Sequence, residues 1–127
     1  METIGPLQLR VMHFLWKHGP STVHAVLDHV NATSGSRPLA YTTILTVMRN
    51  LARRNFLSQT PQGRSHMFAP LIDEPSYKMG MVRHMRKELF ASDPCVLLDY
   101  LSRDEELDPG QRERIAQLVR NLTPQHA

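Results

Sequence analysis

The sequence predicts a mainly α fold carrying one small β-hairpin, and three observations support that prediction. Apolar residues recur at helical spacing in a series of stretches, each bounded by glycine, proline or a capping residue. One segment, residues 56–70, breaks the pattern with two short extended runs around a glycine-containing turn. The length, 127 residues with 41% hydrophobic, is that of one domain or two very small ones, globular rather than disordered.

The first helix runs from Leu7 to His18. Leu7, Val11, Phe14 and Leu15 recur at i, i+4, i+7 and i+8, Met12 and Trp16 widen the stripe, and Gly19-Pro20 stops it. Ser21 is a suitable N-cap for the second, on which Val23, Val26, Leu27 and Val30 recur at i, i+3, i+4 and i+7. Asn31 to Pro38 is polar and rich in turn formers, hence a loop. The third helix, Ala40 to Arg54, sorts into two faces. Ile44, Leu45, Val47, Met48, Leu51 and Ala52 fall on one side; Thr42, Thr43, Thr46, Arg49, Asn50 and Arg53 fall on the other, without a carboxylate. Phe56–Thr60 and His66–Pro70 then form a hairpin across Pro61–Ser65, with Arg64 at its tip. Three helices followed by such a hairpin make a winged helix-turn-helix, assigned to residues 1–72.

Residues 73–127 read as a helical dimerisation domain. Asp73-Glu74-Pro75 opens a long helix on which Val82, Met85 and Leu89 make one stripe and Tyr77, Met81 and Met85 an adjoining one. Asp93-Pro94 caps a short helix, Cys95 to Leu101, apolar nearly all round and including Leu97. Asp108-Pro109 caps the last, where Ile115, Leu118, Val119 and Leu122 share a face. So small a segment with so much apolar surface is a poor independent core, and a second copy of the chain is the expected cover.

A polar helix face is usually only solvated, so the third helix gains its meaning from its setting. Threonine hydroxyls and methyls match base edges and thymine methyls, and guanidiniums match phosphate or guanine. Net charge is only +3, but residues 1–70 hold seven Lys and Arg against two Asp and Glu, whereas residues 71–127 hold eight against ten. The positive field belongs to the half with the candidate recognition helix.

Other functions are disfavoured. No apolar run approaches the roughly 18–20 residues that span a bilayer, and Met1 to Leu9 lacks a leader pattern, so no membrane insertion and a cytoplasmic, nucleoid-associated location are expected. Cys95 is the single cysteine and is expected to be a buried thiol. Met79, Met81, Met85, His84 and Cys95 could be drawn as a soft metal site, but methionines at helical spacing are commonly packing residues; no metal and no cofactor are expected. His13, His18, His24 and His29 are read as surface or packed residues. No nucleophile triad, carboxylate pair or phosphate loop appears, so the chain is not read as an enzyme.

The residues also carry a family resemblance. Leu15-Trp16, the segment Ala40-Tyr41-Thr42-Thr43-Ile44-Leu45-Thr46-Val47-Met48, then Leu51 to Leu57, Gly63-Arg64 and Phe68-Ala69-Pro70 closely resemble the penicillinase repressor (BlaI/MecI/CopY) family of bacterial transcriptional repressors. The likeness is strong over about residues 7–72 and beyond that rests on length and helix pattern. It implies a homodimer that binds a palindromic operator. On it, Thr42, Thr43 and Thr46 read bases and Tyr41 lies near a phosphate; from their residue type and place, Arg49, Arg53, Arg54 and Arg64 are expected to hold phosphates, and Asn50 completes the DNA-binding set. The family often has Asn-Arg where this chain has Arg49-Asn50, and Gly where it has Asn55, a residue that tolerates the left-handed helix-ending conformation. The paired Cys-x-Cys motifs of the copper-responsive branch are lacking. The β-lactam-responsive branch implies cleavage by a membrane-bound metalloprotease sensor, and the corresponding bond here is Asp99–Tyr100. Two alternatives remain at this level: a winged-helix module that docks an acidic protein, and a repressor whose effector is a metal or small ligand.

Overall fold

The computed structural model describes residues 3–35 and 37–122. In chain order the elements are α1 (Pro6–His18), α2 (Val23–Thr33), α3 (Tyr41–Arg53), β1 (Leu57–Gln62), β2 (Ser65–Pro70), α4 (Glu74–Leu89), α5 (Pro94–Ser102) and α6 (Pro109–Arg120). They fall into two compact units, residues 1–82 and 83–127, with α4 running through the division.

The first unit is built on the periodicities of its helices. Val11, Met12 and Leu15 of α1, Val26 and Val30 of α2, and Ile44, Met48 and Leu51 of α3 are fully enclosed, with Leu57 and Phe68 of the hairpin closing the core. Gly19, at φ 80°, ends α1 with its N–H on Leu15 O. The next cap differs from expectation. Thr22, not Ser21, caps α2, its side chain accepting from Ala25 N. Ser21 instead pairs with Phe68 as an antiparallel bridge, Ser21 N to Phe68 O at 3.0 Å and Phe68 N to Ser21 O at 2.9 Å. Its backbone is thereby committed to the sheet edge, where the buried wing residue would otherwise lack partners.

The loop before α3 also begins later than expected, because α2 continues through Thr33. Asn31, inside that last turn, clasps the far end of the loop: its Nδ2 donates to Leu39 O at 3.1 Å and its Oδ1 accepts from Leu39 N at 2.8 Å. That pair fixes where α3 starts. Replacing Asn31 by alanine loses both bonds and is expected to cost about 1–2 kcal/mol of stability, read by urea denaturation; a change below about 0.5 kcal/mol would show that the clasp is not holding the loop.

The end of α3 follows its residues. Asn55 takes φ 66°, the left-handed conformation expected of it, and Asn55 N and Phe56 N bond to Ala52 O and Leu51 O. These are the paired bonds of a Schellman motif. The hairpin is tighter than expected. Leu57 to Gln62 pairs with Pro70 to Ser65, leaving only Gly63 and Arg64 as the turn, and Gly63 at φ 60° supplies the positive φ that a type II′ turn needs at its first position. Phe56 lies outside the strand and is buried.

Tyr77 and Met81 depart from the dimerisation set. Tyr77 is only 6% exposed, with ring contacts to Trp16 and Phe56, and Met81 packs against the same core. Trp16 Nε1 donates to Ile72 O at 2.9 Å, binding the segment after the hairpin to α1. The start of α4 therefore serves the first unit, since an aromatic ring there finds an apolar wall within its own chain. At that helix start Asp73 accepts from Ser76 N at 2.7 Å, and this backbone bond, then the Ser76 side chain, hold the carboxyl below its ordinary range.

In the second unit Asp93 caps α5 through Cys95 N, and Asp108 caps α6 in a reciprocal box with Gln111. Neither helix contains a buried residue. Cys95 is accordingly exposed, against the expected buried thiol, because α5 has no apolar partner layer within this unit. Among the described residues, no helix is long and apolar enough to cross a membrane.

Candidate nucleic-acid interface

The outward face of α3 is set by the residues that anchor its inner one. With Ile44, Met48 and Leu51 enclosed, a 3.6-residue period turns Thr42, Thr43, Thr46, Arg49, Asn50 and Arg53 to the solvent, and all six are exposed. Tyr41, at the first helical position, is 39% exposed and stacks on His24 of α2 with ring centroids 4.6 Å apart. No ion pair among the described residues engages Arg49, Arg53 or Arg64. Among the described residues ion pairs join Lys78 to Glu74 on α4, Asp99 of α5 to the following Arg103, and Arg120 to Glu113 on α6. The charges of Arg49, Arg53 and Arg64 are thus not neutralised by such pairing among the described residues.

Arg64, at the hairpin tip, is brought to this face. A cavity of about 200 Å³ lies between the start of α2, the outer side of α3 and the wing, and its walls include Tyr41, Arg49 and Arg64. Arg54 goes elsewhere: its Nη2 donates to Thr3 O at 2.9 Å, and its guanidinium lies over the Phe56 ring at 5.3 Å. Within the expected DNA-binding set it alone is seen tied to the chain's N-terminal segment.

Sequence reasoning passed over residues that share the cavity. His24 and Thr22 from α2, and Ser65 and His66 from the wing, line it with the two arginines. For His66 a signal existed. Strand alternation places it on the same face as the buried Phe68. His24 carried none, since its neighbours here come from α3 and the wing rather than from α2. Arg37, exposed in the loop before α3, is a further cation outside the expected set.

Apart from Tyr77 and Met81, the expected dimerisation residues form apolar surface without a buried member, Val82 at the end of the first unit and the others in the second. Val82, Met85 and Leu89 of α4, Leu101 of α5, and Leu118 and Val119 of α6 are exposed, as is Leu122, the last residue described; Leu97 and Ile115 are half-buried. Asp99 pairs with Arg103 at 2.8 Å, Arg103 lies over the Tyr100 ring at 4.9 Å, and Tyr100 is 59% exposed. Met79 and Met85 are exposed on α4. Among the described residues, no group of three or more His, Cys, Asp or Glu side chains is placed to hold a metal ion.

Comparison with known proteins gives concordant results. The model of the family described as penicillinase repressor matches residues 4–121. A transcriptional regulator BlaI of Mycobacterium tuberculosis is 35% identical over 114 residues, covering 89% of this chain and 68% of that protein. A penicillinase repressor of Bacillus licheniformis is 31% identical over 74 residues, 58% of this chain and 56% of that one. The solution structure of the DNA-binding domain of the repressor BlaI superposes with a TM-score of 0.51 at 29% identity, covering 61% of this chain and 94% of that domain.

Proposed function

The chain belongs to the penicillinase repressor family of DNA-binding transcriptional repressors, a family of regulators and not of enzymes, and from that premise we propose that it binds a palindromic operator as a homodimer. The observation that carries the reading is the α3 face. Three threonines, two arginines and an asparagine are exposed together, free of carboxylates, beside the Arg64 wing tip. Thr42, Thr43 and Thr46 read base edges; Arg49, Arg53 and Arg64 hold phosphates, with Tyr41 and Asn50 at the margins. Arg54 contributes through the N-terminal segment it binds rather than by a free guanidinium.

Dimerisation is supported by the second unit, where α5 and α6 contain no buried residue while Leu118, Val119, Leu122 and Leu89 are exposed. A twofold dimer sets two recognition helices one DNA turn, or a multiple of it, apart. Relief by proteolysis belongs to the same proposal. A membrane-bound metalloprotease sensor cuts at Asp99–Tyr100, and α5, with no buried residue, opens locally at low cost to admit a protease. An intact repressor in fully induced cells would remove that part of the reading. The protein acts in the cytoplasm, on the nucleoid.

Two substitutions separate the roles on α3. Arg53→Ala is expected to weaken all DNA binding alike and to lower the slope of log affinity against log salt by about one, since a phosphate contact releases counterions on any sequence. Thr43→Ala is expected to reduce discrimination between operator and scrambled DNA by about 1–3 kcal/mol. Equal loss on both DNAs from both variants would refute the division. The test of the whole is selection of genomic fragments by purified protein at moderate and high salt: an inverted repeat with half-sites about one turn apart supports it, and unpatterned, salt-labile DNA refutes it.

A further inference from the structure

Two histidines from different helices meet on the flank of α1 and α2. His18, the last residue of α1, and His29, in the second half of α2, are both exposed, and their ring centroids are 6.2 Å apart with the planes at 61°. Phe14 holds them in place. Its ring centroid lies 4.5 Å from that of His18 and 4.9 Å from that of His29, and its side chain packs against the core of the first unit. The other histidine ring contacts among the described residues join His13 to Trp16 and His24 to Tyr41, so this is the contact in which two imidazoles meet. Spacing along one helix could not reveal it, because each partner belongs to a different one. Among the described residues no hydrogen bond or ion pair engages either imidazole, and the ring nitrogens are open to a ligand.

The chemistry of that pairing is specific. A neutral imidazole nitrogen is the commonest protein ligand of zinc, nickel and copper, whereas magnesium and calcium prefer oxygen. An ion held at about 2.0–2.1 Å by one nitrogen of each ring leaves the ring centres roughly 5–6 Å apart, from a tetrahedral to an opposed arrangement. The rings of His18 and His29 stand at the upper end of that range, and being exposed they reach it by turning in place. Contact with Phe14 already restricts both side chains, so less rotamer freedom is lost when an ion is bound. The position is also favourable for a cation. His18 closes α1, where carbonyls past Leu15 O have no partner within the helix and its dipole is negative. Lys17 and Asp28, next to the two histidines in sequence, are exposed and opposite in sign, so their effects on a nearby ion offset one another.

We infer that His18 and His29 form a two-imidazole clamp for one divalent transition ion of the zinc and nickel class, tying the end of α1 to α2. Water completes the coordination, since the pair supplies two ligands of at least four. Neither histidine lines the space between α3 and the wing, and occupancy of the clamp requires no DNA, so it stands apart from the operator reading.

The test titrates the full chain with Ni(II) and, separately, Zn(II) by calorimetry, and follows melting of the first unit by the fluorescence of Trp16. Wild type is expected to bind a first equivalent more tightly than any later one. His18→Ala and His29→Ala should each weaken that equivalent by about tenfold or more, because a single imidazole loses the effective concentration that the second ligand provides. The double variant should lose no more than either single one, as residues acting as a unit do. Ni(II) at a hundred times its dissociation constant is expected to raise the melting midpoint by about 10 °C in wild type and not in the variants, with Mg(II) giving no shift. His84→Ala and Cys95→Ser should leave the first equivalent unchanged. Melting without metal checks that each variant folds, and His29→Gln, which keeps a polar side chain at that position, should behave as His29→Ala. A tight first equivalent that survives either single substitution, or losses that add in the double variant, would overturn the clamp. Its disappearance in Cys95→Ser would overturn it too, by placing the ion on the thiol, as would wild-type binding no tighter than that of the variants.

Discussion

Leu118→Asp is expected to lower affinity for the full operator by about 10²- to 10⁴-fold while leaving binding to an isolated half-site unchanged. Leu118 is 52% exposed on α6, a helix without a buried residue among those described, and it neighbours Val119 and Leu122 on the same stripe. A charge there costs the single chain little, because the position already meets water. In a dimer the same carboxylate faces its symmetry mate or an apolar wall, and an unpaired charge at such a seam disfavours association strongly. What is then lost is the effective concentration that one bound half lends the other, without any change at α3 or the wing. Sedimentation and anisotropy on full and half operators check this together. A wild type that stays monomeric at operator-saturating concentration, or a Leu118→Asp chain that binds the full operator normally, would remove the dimer from the proposal.

The parts of this protein that can be read from sequence are those whose physics is local. The two faces of α3 follow from one period within one helix, and Asn55 in the left-handed region follows from the residue that ends it. The excess apolar surface of α5 and α6 is a property of composition, and it survives as exposed leucine and valine in the folded chain. Several departures from the expected placements have partners far away in sequence. Ser21 looked like a cap because its bridge to Phe68 is formed only when the hairpin folds back past α1. Tyr77 looked like an interface residue because Trp16 and Phe56, which receive it, belong to other elements. Arg54 continued a basic run, yet Thr3 and the Phe56 ring take its guanidinium. His24 and His66 carried no shared pattern, since α2 and β2 meet at the cavity only through the tertiary fold.

Phe68→Ala is expected to destabilise the first unit by about 3–5 kcal/mol, a large share of the roughly 5–15 kcal/mol that an ordinary domain possesses. Phe68 is fully enclosed, lies opposite Gln59 on β1, and exchanges both backbone hydrogen bonds with Ser21. Its ring thus fills the core at the point where the wing is joined to the chain between α1 and α2. Truncation leaves a cavity among Val, Leu and Met side chains that are themselves in the three helices, and these cannot all move inward without shifting α3. Trp16, the single tryptophan, packs against this core and reports the unit's unfolding separately from the second unit. Met67→Ala supplies the control: its side chain alternates to the other face of β2 and is half-buried, so about 1 kcal/mol or less is expected. The functional consequence follows from register. Phe68 and His66 share one face of β2, and the Arg64 turn precedes that strand directly, so a wing that detaches at Phe68 loses the cavity together with its fold. Equal, small losses from Phe68→Ala and Met67→Ala would mean that the wing is held by its turn and backbone ladder alone, and that the core does not position it.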